Sequence, residues 1–198
     1  MSFLVALRLE GKRCLVLGSS SEAARRAREL SDAGAVVVAL GSAPGPELEL
    51  LAESGRITLE TRDFALEDLD ECWLVVLADR DADLLERVGP TCTSRRILFC
   101  AVDQPGHNGF DHVAVARAGK LSVGVSTGGT APALGKRLRD ELERGLREAG
   151  VAELAEHMAE LRARIEPRER KRALTVEANR LSLSGFEVAP KSPEGREE

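Results

Sequence analysis

The sequence contains no tyrosine, and only one tryptophan and five phenylalanines among its 198 residues. The absence of tyrosine excludes dehydrogenases whose proton transfer relies on a Tyr/Lys pair. No apolar run approaches the roughly 20 residues that a membrane-spanning helix needs. The first residues, MSFLVALRLEGKR, have too short an apolar part and no basic residue ahead of it for a secretory signal. We therefore expect a cytoplasmic protein without a membrane partner.

The sequence also lacks the usual patterns of metal ligands. None of the four cysteines lies in a CxxC or Cys/His pair of the kind that builds a zinc site. Three of them, Cys14, Cys72 and Cys100, lie beside or within apolar segments, which is typical of small buried thiols in a reducing compartment. The net charge of −5 argues against general nucleic-acid binding, although a local basic patch can still bind an anion.

Apolar runs alternate with helical patterns along the first half of the chain. The runs KRCLVLG, AVVVAL, CWLVVLAD and RILFCAVD read as buried strands, and SEAARRARELSDAGA reads as a helix. This alternation predicts an α/β fold, a Rossmann-like doubly wound parallel sheet covered on both faces. Trp73, inside the third run, is predicted to lie in the core. A ligand is expected across the carboxyl ends of the strands, where these residues gather: Gly18, Gly41, Ala78, Asp79 and Asp103.

The character of the chain changes after Asp103. A loop, QPGHNGF, precedes HVAVARAGKLSVGVSTGG, which reads as a hairpin-like pair of strands, and the rest is largely helical with a break near Pro167. This half is too small to be a separate enzyme domain and suits an interlocking dimer or a cap. The predicted organisation is a nucleotide-binding domain over 1–105, a small α+β dimerisation region over 106–147, a helical part over 148–188 and a disordered tail over 189–198.

The turn after the first predicted strand is a variant of the dinucleotide fingerprint GxGxxG/A. The fingerprint needs a first glycine for the tight turn, a second so that the backbone can approach the pyrophosphate, and a small third residue. Gly18 and Ala23 satisfy the first and third positions, and Ser20 replaces the second glycine. Its hydroxyl and the helix N-terminus can still donate to an anion, but a plain turn capped by serine is equally compatible. No acid ends the AVVVAL strand to accept ribose hydroxyls, because Gly41 and Ser42 follow it.

Several segments, in order, resemble the precorrin-2 dehydrogenase family, the dehydrogenase and ferrochelatase part of siroheme synthases. They are VLGxxxxA, CWLVVLADRD, FCAVDQP and RAGKLSVGVSTGGTAPALGKRLRDELE. The resemblance covers most of residues 1–165, and STGGTAPALGKRLRDELE is its most specific segment. It implies a homodimeric enzyme that uses NAD to oxidise precorrin-2 to sirohydrochlorin, a tetrapyrrole, with insertion of ferrous iron as an additional activity in some members.

The resemblance also implies residue roles. Asp103 matches the aspartate that the family uses for dehydrogenation and metal insertion; a carboxylate can take a proton from carbon or from a pyrrole nitrogen, and can briefly hold a metal. The structural alternative is an aspartate that caps a turn. Thr127, beside Gly128, falls where the family has a Ser or Thr facing the tetrapyrrole. Arg117 and Lys120 have few acidic residues near them in the sequence and are candidates to bind substrate carboxylates.

The resemblance places the cofactor at the turn, where the family usually has GGGxVA and this chain has GSSSEA. Glu22 puts an acid near the expected phosphates, although an acid also suits a first helical turn. His107, in the loop after Asp103, is a candidate to contact iron. The predicted cofactor-binding residues are Gly18, Ser19, Ser20, Ser21, Glu22, Ala23, Gly41, Ser42, Ala78 and Asp79.

Two alternatives keep the fold but lose the use of NAD. One is an enzyme that only inserts metal, suggested by the serines and by Glu22, and the other is a tetrapyrrole-binding module without catalysis.

Overall fold

A computed structural model describes residues 3–104 and 106–182 of the chain. Its main sheet consists of five strands: β1 (Arg13–Leu17), β2 (Val36–Leu40), β3 (Thr58–Glu60), β4 (Leu74–Leu77) and β5 (Leu98–Ala101). The strands are all parallel and lie in the order β3-β2-β1-β4-β5. The order reverses between β1 and β4, so the sheet is doubly wound, and the Rossmann-like α/β prediction is confirmed.

Helices cover both faces of this sheet. They are α1 (Ser21–Asp32), α2 (Pro46–Glu53) and α3 (Ala82–Arg95), and a short 3₁₀ helix (Leu66–Leu69) precedes β4. Successive residues of each strand enter opposite faces: Cys14 and Val16 of β1 pack in the cluster that contains α1 and α2, and Leu15 and Leu17 pack in the cluster that contains α3. Burial on both faces explains why the strands are continuously apolar in the sequence rather than alternating.

The chain divides into two compact units, with the boundary between His112 and Val113. The second unit contains an antiparallel hairpin and three helices: β6 (Ala114–Ala118), β7 (Leu121–Val125), α4 (Pro132–Glu148), α5 (Val151–Arg164) and α6 (Pro167–Ala178). Its small core is formed by Ala116, Ala118, Leu146 and Val151.

The hairpin and the helix break predicted near Pro167 are confirmed, because α6 begins at that proline, where its missing N–H costs nothing. The boundaries predicted at 105/106 and 147/148 stay predictions. The predicted tail over 189–198 and the end of the helical part, 183–188, lie outside the described residues. Among the described helices, none combines the length and apolar character that crossing a bilayer requires.

The predicted core position of Trp73 is wrong. Its backbone extends the sheet, since its N–H donates to the carbonyl of Arg13 (2.9 Å), but its side chain is 46% exposed. The apolar run in the sequence begins at the buried Cys72, two residues before β4, and Trp73, directly before the strand, has its side chain at the rim of the sheet. There the indole ring lies 4.8 Å from the ammonium of Lys12, a cation–π contact.

The four cysteines are buried and free; apolar segments predicted the burial of Cys14, Cys72 and Cys100, and Cys92 is buried in α3. Burial raises the pKa of Cys14 and Cys100 to about 11 and that of Cys92 to about 12, and it also raises the pKa of Cys72. Because the thiolate is the reactive form, we expect none of the four to react rapidly with a disulfide reagent at pH 8 in the native protein. All four are expected to react once the protein is unfolded in guanidinium chloride. A thiol that reacts within the mixing time of the native sample contradicts this prediction.

Candidate functional site

The turns that follow the strands lie side by side at the carboxyl edge of the sheet. Backbone hydrogen bonds continue the strand pairing beyond the strand ends, from the N–H of Gly18 to the carbonyl of Leu40 (2.9 Å) and from the N–H of Ala78 to that of Leu17 (2.8 Å). The N–H of Val102 extends β5 along β4 in the same way (2.9 Å). This is the edge at which doubly wound sheets bind their ligands.

A cleft at this edge brings together half of the predicted cofactor-binding residues: Gly18, Ser19, Gly41, Ser42 and Asp79. The other half lie beside it. Residues 20–23 form the N-cap and first turn of α1, in which Ala23 is buried, and Ala78 is buried at the end of β4. Their roles in binding stay predictions.

Two glycines allow the turns to approach each other closely. Gly18 has φ +139°, a conformation that favours glycine, and a Cβ added there would lie 2.8 Å from the Asp79 carboxylate carbon. A Cβ on Gly41 would lie 2.7 Å from the carbonyl oxygen of Gly18 and would overlap the hydroxyl of Ser19. The turns after β1 and β2 can therefore lie this close only because position 41 carries no side chain, whereas a side chain at position 18 would displace the Asp79 carboxylate.

The turn between β1 and α1 donates its hydrogen bonds to an anion. The N–H of Ser19 donates to Oδ2 of Asp79 (2.7 Å), and the hydroxyl of Ser20 donates to Oδ1. Ser20 is also the N-cap of α1, and its Oγ accepts a bond from the N–H of Ala23 (3.3 Å). These donors are suited to bind a phosphate, because they already bind another anion. That anion is the Asp79 carboxylate of the chain itself.

The acid at the start of α1 is neutralised by its neighbours. The Glu22 carboxylate accepts bonds from Nη2 of Arg25 (2.6 Å) and Nε of Arg26 (2.8 Å). Burial alone would raise the pKa of Glu22, but the hydrogen bonds and charges of the two arginines outweigh it and lower this pKa. Glu22 is thus ionised but paired along the helix, which reduces its repulsion of a bound phosphate.

The sequence analysis missed an acid in this cleft. Asp63, three residues after β3, lines the cleft with Gly41 and Ser42, because β3 pairs with β2. A carboxylate here can accept hydrogen bonds from ribose hydroxyls, and the end of β2 provides no acid for that purpose. The sequence does show an acid, Asp63, shortly after a short strand. That this acid reaches the cleft follows only from the strand order, which places β3 beside β2.

Asp103 is presented on a tightly anchored turn after β5. It is exposed and has φ +55°, in the left-handed region that aspartate tolerates better than most residues. The side chain of Asn108 pairs with both backbone groups of Ala101 (2.8 and 3.3 Å), and Nε2 of Gln104 donates to the carbonyl of Asp79 (3.2 Å). These bonds fix the turn to β5 and to the turn after β4, and they leave the Asp103 carboxylate accessible.

The predicted substrate-binding residues lie in the second unit. The carbonyl of Thr127 accepts a bond from the hydroxyl of Thr130 (2.7 Å), and Gly128 follows with φ +59°. Arg117, exposed on β6, donates to Oγ of Ser122 (3.2 Å), and Lys120 is exposed in the turn between β6 and β7. Thr127 therefore takes part in the hydrogen bonding of its own loop, and its role in substrate binding stays a prediction.

No group of three or more His, Cys, Asp or Glu side chains that could hold a metal ion occurs within residues 3–104 and 106–182. His107 lies with Nε2 3.7 Å from the carboxylate of Glu86, and its Cβ lies 2.7 Å from the position of a Cβ added to Gly89 of α3. The assignment of His107 to iron stays a prediction.

Comparison with known proteins gives matches over most of the chain. A family model described as "Putative NAD(P)-binding" matches residues 5–114, and one described as "Sirohaem biosynthesis protein central" matches residues 119–145. The siroheme synthases of Enterobacter sp. (strain 638) and of Escherichia coli O1:K1 are each 36% identical over 157 residues, which cover 79% of this chain. The match covers 34% of each of these relatives, so the chain spans about a third of their length.

A solved structure, "SirC, precorrin-2 dehydrogenase", has the same fold. It matches with a TM-score of 0.75 and 21% identity, and the match covers 88% of each chain.

Proposed function

Because this chain belongs to the precorrin-2 dehydrogenase and sirohydrochlorin ferrochelatase family, the N-terminal part of siroheme synthases, we propose that it oxidises precorrin-2 to sirohydrochlorin with NAD in siroheme biosynthesis. The observation that carries the proposal is the combination of two family matches in one chain. An NAD(P)-binding domain over residues 5–114 is followed after four residues by the sirohaem-specific central region over 119–145.

The geometry suggests how the first unit takes part. The N–H and hydroxyl donors of the turn after β1 would hold the pyrophosphate of NAD, and Ser42 and Asp63 would bind its adenosine ribose. Bound at this turn, NAD would supply the acceptor for a hydride that leaves a carbon of the substrate. Asp103 takes up the proton that leaves with this hydride, so that the substrate loses two hydrogen atoms in total.

We assign substrate binding to the second unit, in which Arg117, Lys120, Thr127 and Gly128 contact the tetrapyrrole. Precorrin-2 carries many carboxylates, and a chain with a net charge of −5 needs local cations to bind it. The assignment includes a homodimer formed through residues 106–147 and a cytoplasmic location.

The experiment that tests the function is anaerobic incubation of the purified chain with precorrin-2, with and without NAD, followed by the absorbance of sirohydrochlorin. We expect product only when NAD is present. Absence of product from folded protein that still binds precorrin-2 contradicts the proposal. A parallel sample with NADP identifies which of the two nicotinamide cofactors supports the reaction.

Insertion of ferrous iron into sirohydrochlorin is the second candidate function. The observation that favours it is that the Asp79 carboxylate occupies the donors of the turn that NAD would need. Metal insertion needs no nicotinamide, so this contact does not oppose it. In this reaction two pyrrole protons leave as the substrate iron enters; Asp103 accepts one of them and the other passes to solvent. Formation of siroheme from sirohydrochlorin and Fe²⁺ without NAD supports this activity, and its absence restricts the chain to dehydrogenation or binding.

A further inference from the structure

The carboxylate of Asp79 lies against the turn between β1 and α1. It accepts the N–H of Ser19 at 2.7 Å and the hydroxyl of Ser20, and its carbon lies 2.8 Å from the position of a Cβ on Gly18. Asp79 therefore binds two donors of the turn and covers the side of Gly18 that has no side chain.

A dinucleotide needs these same atoms. In a strand–turn–helix unit of this kind, the pyrophosphate approaches the bare backbone at the first glycines and accepts bonds from N–H groups at the start of the helix. A carboxylate and a phosphate are both anions that accept hydrogen bonds, so they repel each other and cannot share one N–H at full strength.

We propose that Asp79 is an internal competitor of the dinucleotide pyrophosphate and lowers the affinity of this chain for NAD. The inference rests on the proposed function only for the identity of the ligand. It assigns the weak point of the cofactor site to Asp79 rather than to Ser20, the residue that departs from the fingerprint. Restoring glycine at position 20 leaves the Ser19 N–H engaged by the carboxylate, and therefore restores little affinity.

The backbone at Asp79 is held independently of its carboxylate. The N–H of the preceding residue, Ala78, bonds the carbonyl of Leu17 (2.8 Å), and the carbonyl of Asp79 accepts from Gln104 (3.2 Å). Asp79 itself is only half-buried. Removing the carboxylate is therefore expected to free the donors of the turn without displacing the turn after β4.

The test compares the full chain and its Asp79→Ala variant by calorimetric titration with NAD⁺ and with adenosine, which has no phosphate. We expect the dissociation constant for NAD⁺ to fall at least about tenfold in the variant, because two hydrogen bonds to a charged acceptor no longer have to be broken. The affinity for adenosine is expected to stay within about twofold, because adenosine has no phosphate that needs the turn donors.

Two control variants distinguish the Asp79 contact from the general negative charge of the cleft and from the serine at position 20. Asp81→Asn removes a charge from the wall of the same cleft and keeps a side chain that can cap α3, where Asp81 accepts the N–H of Leu84 (2.8 Å). Ser20→Gly restores the fingerprint. We expect Asp81→Asn to change the affinity for NAD⁺ by less than about threefold, since exposed charges are screened. Ser20→Gly removes one of the two donors that bind Asp79 but leaves the Ser19 N–H engaged, so we expect it to tighten NAD⁺ binding clearly less than Asp79→Ala does.

The inference is overturned if Asp79→Ala leaves the NAD⁺ affinity unchanged or weakens it, and equally if neither protein binds NAD⁺. If circular dichroism shows that Asp79→Ala does not fold, Asp79→Asn gives the same measurement in a neutral isostere, with a smaller expected tightening. Precorrin-2 turnover is not measured in these titrations. The dehydrogenase proposal can therefore fail while the effect of Asp79 is observed. Conversely, turnover can be observed while Asp79→Ala leaves the NAD⁺ affinity unchanged.

Discussion

Replacing Asp103 by asparagine is expected to lower the rate of NAD-dependent sirohydrochlorin formation by about 10²–10⁴-fold, the usual cost of losing a positioned proton acceptor. Asparagine has nearly the same shape and also tolerates the left-handed conformation that Asp103 adopts at φ +55°. The turn held by Asn108 and Gln104 should therefore persist, and the change isolates the carboxylate. Initial rates at saturating NAD measure the effect, and titration with NAD⁺ should give an unchanged affinity.

A matched control for Asp103 is Asp83→Asn. Asp83 is also exposed, in the first turn of α3, and the same substitution removes the same charge from the same unit. We expect the control to retain the rate of the unmodified chain within about twofold, since an exposed surface change seldom costs more than about 0.5 kcal/mol. A folded Asp103→Asn variant that keeps the full rate would falsify the assignment of Asp103 as the proton acceptor.

The second large effect is expected in stability. Asp68 is buried in the short 3₁₀ helix, where its carboxylate accepts two bonds from Arg62 (2.9 and 2.6 Å) and one from the N–H of Ala65 (2.8 Å). Asp68→Ala leaves these donors without their acceptor. Because Arg62 is partly exposed and can be rehydrated, we expect a loss of about 2 kcal/mol in the free energy of unfolding, less than a fully buried ion pair would cost. Urea denaturation at pH 7 measures it.

The contribution of Asp68 should also depend on pH. Hydrogen bonds from Arg62, followed by the Ala65 N–H and nearby positive charge, hold the pKa of Asp68 below its usual range despite burial. A carboxyl whose native pKa is lowered stabilises the fold above its unfolded pKa of about 3.9, and this stabilisation is lost as the pH falls through the native pKa. The difference in stability between the unmodified chain and Asp68→Ala should therefore shrink as the pH is lowered below about 4.

Glu60→Ala provides the control for Asp68. Glu60 also binds Arg62, through Nε at 2.8 Å, but its side chain is partly exposed and its removal leaves the three bonds of Asp68 in place. We expect a clearly smaller loss of stability than for Asp68→Ala. Equal losses in the two variants would show that burial of Asp68 adds nothing to an ordinary surface ion pair.

The fold was largely predictable because its signals are local. Strands buried on both faces are continuously apolar, and the helix between β1 and β2 has its own period and a serine cap, so a short window suffices to identify each element. The break at Pro167 and the hairpin between β6 and β7 have equally local causes. The exposed Trp73 shows the limit of this reasoning, because a strand boundary that is off by one residue moves a side chain from the core to the rim.

The chemistry of the cleft was less predictable, because its contacts join distant parts of the chain. The sequence pattern placed Gly18, Gly41 and Asp79 at one edge, but it contains no signal that the Asp79 carboxylate binds a turn about 60 residues earlier in the chain. Asp63 enters the cleft only because β3 lies beside β2. Such contacts follow from strand order and side-chain direction, which neither composition nor periodicity specifies.

The bond between the Gln104 side chain and the carbonyl of Asp79 has a consequence for the speed of ligand entry. It holds the backbone of Asp79 in place without restraining the side chain, whose carboxylate is held only by its bonds to Ser19 and Ser20. Once a ligand takes over those two donors, the carboxylate can leave the turn by side-chain rotation alone. Accessible side chains rotate within nanoseconds, whereas loops and domains move over nanoseconds to milliseconds. A dinucleotide that displaces this carboxylate should therefore associate in one rapid phase, without a slow step that depends on the opening of the protein.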